Sequence, residues 1–383
     1  MRIAYVAVGL ELDGRLGVAG KIGRQMDAWI RAGHEARFFV QAHRPPELLR
    51  SGRLGAAPAE VFTHRRIEGA GAAAGLARRF TILSRMVRRV ADWGADVVYI
   101  RFNTWYPALE SLSRRIPTVL EVNTDDLREY RVMMSRGRFL YHRFGRGRLM
   151  RRAAGMVYVT RELAATPSLA RFGRPGIVIA NGIDLDAYPV LEPAANARPR
   201  LVFIGSGGHP WHGVDKILRL AAACPEWRFD LIGFGAEELG GAAPENVTCH
   251  GYLSRAEYEP IMARADAAIG TLALHRKQMR EASPLKVREY LAYGIPTIIG
   301  YRDTDFPGGS EYLLELPNAP DNVETHLGRI RAFVERVRGV RVPRGAIAHL
   351  DGRRKERERL AFFEQVVTSA AAGPAARLAG GRT

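Results

Sequence analysis

The sequence predicts an α/β protein of two Rossmann-like domains facing a central cleft. Three observations carry that prediction. The 383 residues exceed what one ordinary core accommodates and suit two. Apolar strand-length runs alternate with helical patterns twice along the chain, the mark of parallel sheets covered by helices. A Pro- and Ala-rich stretch at 185–199 separates the two series and reads as the linker.

In the first half, strand candidates lie at 2–8, 36–41, 96–101, 117–122 and 155–159, with helical patterns at 20–32, 76–92 and 138–153. Gly-, Ala- and Pro-rich segments at 42–60 and 69–77 read as surface loops. A second series opens with Leu201-Val202-Phe203-Ile204. It continues through a helix at 214–223, strands at 229–232 and 247–249, a helix at 255–264, and strand Ala267-Ala268-Ile269. A helix at 284–293 and strand Thr297-Ile298-Ile299 follow. The domains are accordingly 1–180 and 181–350, then a helix at 351–368 that packs back toward the first domain and a flexible tail at 369–383. Such a pair places a cleft beyond the strand carboxyl ends, where open α/β sheets take ligands.

Composition is globular, 47% hydrophobic and 25% charged. No run of eighteen apolar residues is present to span a membrane, and the amino terminus reads as a strand rather than a signal peptide. Two cysteines, Cys224 and Cys249, allow no disulfide framework and point to a reducing cytoplasm. The net charge of +17 is unevenly placed: residues 1–180 hold 31 Lys and Arg against 15 Asp and Glu, residues 181–383 hold 26 against 25. Arginines are dense from Arg136 to Arg152, where Phe139, Leu140, Tyr141 and Phe144 interleave. That field attracts nucleic acid, acidic lipid or a phosphate-bearing substrate. The alternative is a general arginine bias on solvated helix faces, which should have touched both halves.

The chemistry concentrates in residues 277–296. Ser283 has N-cap chemistry, Pro284 suits the first helical position, and Gly294 ends the helix before Pro296 leads into a strand. Glu281 falls in the preceding loop and Glu289 two turns into the helix, so they would bracket a ligand whose phosphates rest on the helix start. Lys286, at the third helical position, is opposed by the helix dipole unless a phosphate reverses the sign. Only five lysines occur in the chain, and Lys277 and Lys286 both fall here.

The seven residues between Glu281 and Glu289, with Tyr293-Gly294-Ile295-Pro296 closing the helix, resemble the E-x7-E signature of retaining glycosyltransferases of family 4, which have the GT-B fold. Asn181-Gly182-Ile183-Asp184 resembles the turn that opens that family's second domain. Phe203-Ile204-Gly205 with Trp211-His212-Gly213-Val214-Asp215 resembles its G-R…K-G region. Gly17-Val18-Ala19-Gly20-Lys21 stands where the family places glycines near donor and acceptor, and Gly33-His34-Glu35 precedes the second strand as "GHE" does there.

The resemblance implies transfer of a sugar from a nucleotide diphosphate sugar to an acceptor hydroxyl with retained configuration, in glycolipid, polysaccharide or other glycoconjugate biosynthesis. It implies Glu281 and Lys286 as catalytic. Glu289, Ser283, Leu285, Lys277, Gly205, His212 and Gly213 would bind the donor, and Gly17, Lys21, Asn123 and Asp125 the acceptor. The family's usual Arg and Lys are replaced by Ser206 and His212. Lys286, Lys277 and Arg276 are substitutes, with His212 as a hydrogen-bond donor. Asn123 stands in the place of a frequent histidine and has no proton-transfer role. No covalent nucleophile stands out, which fits a front-face route.

No cofactor and no metal are expected. His209 and His275 lack ligand spacing, and Asp303-Thr304-Asp305 reads as a substrate-side loop rather than a metal D-x-D. Trp93, Trp105 and Trp227 read as core, while Trp211 in the donor-side loop stays open. The partners are the nucleotide-sugar donor and an anionic or lipid-linked acceptor, with an acidic membrane surface as a peripheral site on the inner face; nucleic acid is not expected. Two rivals remain: a non-hydrolysing sugar-nucleotide epimerase of the same fold, and a basic nucleic-acid-binding protein without a recognisable reading motif.

Overall fold

The computed structural model describes residues 1–10, 16–43, 46, 49–63, 72–239 and 243–372. Its internal contacts divide the chain into two units, Met1–Ile179 with Gly352–Thr383, and Ala180–Asp351.

In the first unit, β1 (Arg2–Val8), β2 (Glu35–Ala42), β3 (Arg53–Leu54), β4 (Ala57–Thr63), β5 (Val97–Arg101), β6 (Thr118–Val122), β7 (Gly155–Tyr158) and β8 (Gly176–Val178) form one sheet. Its order is β3-β4-β2-β1-β5-β6-β7-β8, parallel except for β3 against β4. Every β1 residue after Arg2 is buried, as both faces of a parallel sheet are covered. The helix Leu16–Arg31 brings Ile22, Met26 and Trp29 into that core. Trp29 stacks on Tyr5 and meets Phe363 edge-on at 5.6 Å. Phe363 belongs to the last helix, Gly352–Ala371, whose Glu356 Oε2 accepts from Trp29 Nε1 at 2.8 Å. The last helix is therefore a core element of the first unit.

Two expected loops contain regular structure. The stretch 42–60 holds β3 and the start of β4, and β4 pairs with β2 over Phe38–Ala42. Ala and Pro are weak strand formers, but Pro58 needs no ladder partner beyond the two-residue β3 at the sheet edge. Within 69–77 a helix, Ala72–Asp92, has already begun. The rest of those stretches (44–45, 47–48 and 69–71) lies outside the described residues, as do 373–383 of the expected tail; the last helix runs on to Ala371.

The second unit contains β9 (Arg200–Ile204), β10 (Arg228–Ile232), β11 (Val247–Cys249), β12 (Ala267–Ile269), β13 (Glu281–Ala282), β14 (Thr297–Ile299), β15 (Arg302–Asp303) and β16 (Leu313–Glu315). Six form a parallel sheet, β11-β10-β9-β12-β14-β16; β13 and β15 pair separately. The chain moves outward from β9 to β11, then from β12 to β16 on the other side. The order thus reverses between β9 and β12, the kind of place where such sheets take ligands.

The stretch 185–199 is not a linker, because it packs onto the second unit. Leu185 and Tyr188 are buried, Tyr188 meets Tyr293 edge-on, and the Leu191 amide donates to the Tyr293 carbonyl at 3.0 Å. Arg341 holds the carbonyls of Leu191 and Glu192. The unit begins instead at Ala180.

Candidate functional site

The segments after β9 (residues 205–213) and after β12 (270–280) flank the reversal. They are joined by backbone bonds from Leu272 N to His212 O and from Ala273 N to Trp211 O, both 3.1 Å. A Cβ on Gly205 would lie 2.5 Å from the Phe203 ring and 2.7 Å from Phe234, so only glycine fits the turn out of β9. Gly213, at φ +74°, lets the chain enter the helix Val214–Ala223.

The third wall is the helix Leu285–Ala292, with Pro284 at its N-cap and no side chain capping it. Lys286 is therefore its second residue, not its third, and Leu285, half-buried, its first. The Lys286 side chain folds back so that Nζ lies 4.2 Å from the centre of the Phe203 ring, wholly enclosed. Nζ has no hydrogen-bond partner among the described residues. Burial pushes its ammonium down to about 7. The helix ends as the sequence indicates: Gly294 at φ +84° donates to Leu291 O, and Ile295 donates to Tyr290 O at 2.8 Å.

Ser283 does not cap that helix. Its buried hydroxyl accepts from the Asn181 amide at 3.0 Å and from Arg288 Nη2 at 2.7 Å, two donors that out-compete the helix amides. Arg288, fully buried, also binds both Asp303 oxygens at 2.7 Å, Asp305 at 3.0 Å and the Asn181 carbonyl at 2.9 Å. Asp303 and Asp305 are thus counter-ions of Arg288. Glu281 lies in β13, opposite Arg302 of β15, not in an open loop. The guanidinium clamp joins the helix carrying Lys286 to β15, the strand paired with the one carrying Glu281.

Around this core, the Tyr258 hydroxyl, from the helix Arg255–Ala263, donates to Glu289 Oε1. Lys277 Nζ lies 4.3 Å above the Trp211 ring, which stacks on His209. Burial, then the charge of Lys286, pushes the His212 imidazole down to about 2, which favours its neutral form. Arg276, an expected substitute phosphate ligand, is held bidentately by Asp215 at 2.8 Å and by the Pro210 carbonyl. Phe203, Tyr258 and Arg288 were not legible as site residues. Among the described residues no group of three His, Cys, Asp or Glu could hold a metal ion.

In the first unit, the expected acceptor residues have internal partners. Lys21 is buried, its Nζ 2.6 Å from Glu121 Oε1 and 3.2 Å from Asn123 Oδ1. Tyr5 and Arg101 also donate to Glu121. Burial alone would raise that carboxyl; Lys21, Arg101 and Arg359 hold it well below the usual range. Asp125 caps the helix Asp126–Met133 through Leu127 N and Arg128 N, so its carboxylate is committed to the fold. Gly17 lies exposed in the first turn of its helix. Asn123 Nδ2 is buried with no partner among the described residues, which leaves an amide donor available beyond β6.

With that geometry in place, comparison with known proteins decides the fold. A structure of a lipopolysaccharide outer core galactosyltransferase matches with a TM-score of 0.64 at 13% identity, covering 97% of this chain and 100% of that one. Anabaena HepE in complex with UDP and glucose matches with a TM-score of 0.62 at 16% identity, covering 95% and 99%. Sucrose-phosphate synthase from Thermosynechococcus elongatus gives 0.64 at 13%, covering 99% of each. The fold is GT-B. At these identities the likeness speaks for the fold alone. In sequence, residues 22–187 match the pattern of Glycosyltransferase Family 4, so the likeness to that family covers most of Met1–Ile179 and the first residues of the second unit. No curated protein matches. No described helix is long and apolar enough to cross a membrane.

Proposed function

We propose that the protein is a retaining, metal-independent glycosyltransferase moving a hexose from a nucleotide diphosphate sugar to an acceptor hydroxyl. The observation that carries this reading is the enclosed, unpartnered Lys286 ammonium at an uncapped helix start beside the β9–β12 reversal. A buried cation without a counter-ion is costly, and a diphosphate supplies the charge it lacks. The helix amides add further donors to the same oxygens.

In this reading the bond from the anomeric carbon to the diphosphate breaks as the acceptor oxygen attacks from the same face. The acceptor proton passes to the departing phosphate. Lys286 and the helix amides stabilise the charge that develops there. Lys277 approaches from the Trp211 side, Glu281 orients the sugar, and Glu289, itself oriented by Tyr258, takes the ribose hydroxyls. Asn123 faces the acceptor. Engagement of both Asp303 and Asp305 by the buried Arg288 guanidinium supports the absence of a metal step. The acceptor belongs to glycolipid or polysaccharide assembly, at the inner membrane face.

Calorimetric titration of UDP and UDP-glucose in excess chelator tests this, because structures of GT-B relatives hold both. Lys286→Ala is expected to weaken UDP binding about ten- to a hundredfold, the usual loss for a charge-assisted contact, while remaining folded. Binding to Lys286→Ala as tight as to wild type, with loss in Lys277→Ala, would move the phosphate site to the 270–280 segment. Binding that needs added manganese or magnesium would remove the metal-independent part.

A further inference from the structure

The helix Arg136–Arg152 is built inside out. Its buried side carries His142 and Arg146, which bind Asp126 of the preceding helix; Arg146 Nε and Nη2 lie 2.5 and 2.7 Å from the carboxylate. Gly145 presses on Trp105 so closely that a Cβ would meet the ring at 2.2 Å. These contacts fix the helix's rotation. The side they leave outward carries Leu140 and Phe144, 48% and 77% exposed, one turn apart. Val132 and Met133, 66% and 48% exposed, lie at the end of the helix Asp126–Met133 that packs against it. All the large exposed apolar residues described in the first unit fall within these thirteen positions.

Charge surrounds them. Arg136 and Arg143 are exposed and fall beside Leu140 on the helix surface, and Arg148 follows Phe144 by one turn. Arg146 is excluded, since its guanidinium is consumed by Asp126. An outward apolar pair flanked by arginines is what the bilayer interface accommodates: the rings enter the acyl boundary and the guanidinium groups stay among anionic headgroups. A nucleic acid would satisfy the charge and leave Phe144 in water.

We propose that the helices Asp126–Met133 and Arg136–Arg152 form a docking surface for an acidic phospholipid bilayer, with Phe144 as the inserting residue. The surface gives the membrane partner of the proposed function a location, and it rests on that reading only for the identity of the acceptor.

Co-flotation of the full chain with phosphatidylglycerol–phosphatidylcholine vesicles tests it against pure phosphatidylcholine. Wild type is expected to float with the acidic vesicles and to be released by salt. The Leu140→Ser/Phe144→Ser double variant keeps every charge and is expected to lose about tenfold or more in partition. The Arg136→Gln/Arg143→Gln variant is expected to lose about fivefold per arginine. A Phe144→Trp variant should gain emission that brominated acyl chains quench. Equal binding to both vesicle types, an unaffected Leu140→Ser/Phe144→Ser variant, or unquenched Trp emission would each overturn the surface. A change in oligomeric state in that variant, with vesicle binding intact, would assign the patch to a second copy of the chain. UDP calorimetry on the same variants separates the two readings: vesicle binding without UDP binding removes the donor reading alone, and the reverse result removes the surface alone.

Discussion

Lys286 sets function against stability within one side chain. Its ammonium is enclosed against Phe203, and its ordinary value of 10.5 falls to about 7. The unfolded chain therefore holds more protons between about pH 7 and 10.5, so the penalty from this group is full below that window and relieved as pH rises through it. Lys286→Met is expected to hold or raise the Tm near pH 6.5 while UDP affinity falls. Diphosphate binding should restore the proton, so wild type at pH 8 should take up about one proton on binding. Titration in two buffers of different ionisation enthalpy measures this; no uptake, or the same uptake in Lys286→Met, would place the linked group elsewhere. The sequence made Lys286 conspicuous through its rarity and its helix position. It could not reveal Phe203, eighty-three residues away, whose ring makes the enclosure, or Tyr258 beneath Glu289.

At the scale of elements, the short helix Leu285–Ala292 is held at its start by a side chain from its own middle. Arg288 reaches back to Ser283 and across to Asp303 and Asp305. Arg288→Met would strip the fully enclosed Asp303 carboxylate of its guanidinium, and breaking such a buried pair costs about 3–5 kcal/mol. Urea denaturation is expected to show a loss of that size; a loss under about 1 kcal/mol would mean the carboxylates reach water in the native state. Legibility followed period and punctuation here. The helix Val214–Ala223 was readable residue for residue because its apolar spacing starts after Gly213. The Schellman turn at Gly294 was equally plain. Ser283 misled because N-cap chemistry is local, whereas its hydroxyl is claimed by Arg288 and Asn181 from outside the segment. The β3–β4 hairpin was hidden by its Ala-Pro composition, since its pairing comes from β2 rather than from propensity.

For the whole molecule, the alternation of strands and helices was enough to give two parallel sheets, but not how deeply the last helix enters the core of the first. Leu360, Phe362, Phe363 and Val366 all enter the core formed by β1, β2 and β5. At about 1.5–3 kcal/mol each, four such side chains match the whole stability of an ordinary domain, about 5–15 kcal/mol. A chain ending at Asp351 is therefore expected to lose the first unit while the second survives. Limited proteolysis should cut within 1–179 and spare 180–351; equal resistance of the two would show that the last helix is dispensable. The same helix also sets the order of events during synthesis. The ribosome delivers β1 well before the residues that seal its sheet, with all of Ala180–Asp351 emerging in between. The second unit can complete itself while the first waits, its apolar face uncovered, for the helix Gly352–Ala371. A premature stop just before the final helix would therefore do its damage in the half of the protein made earliest.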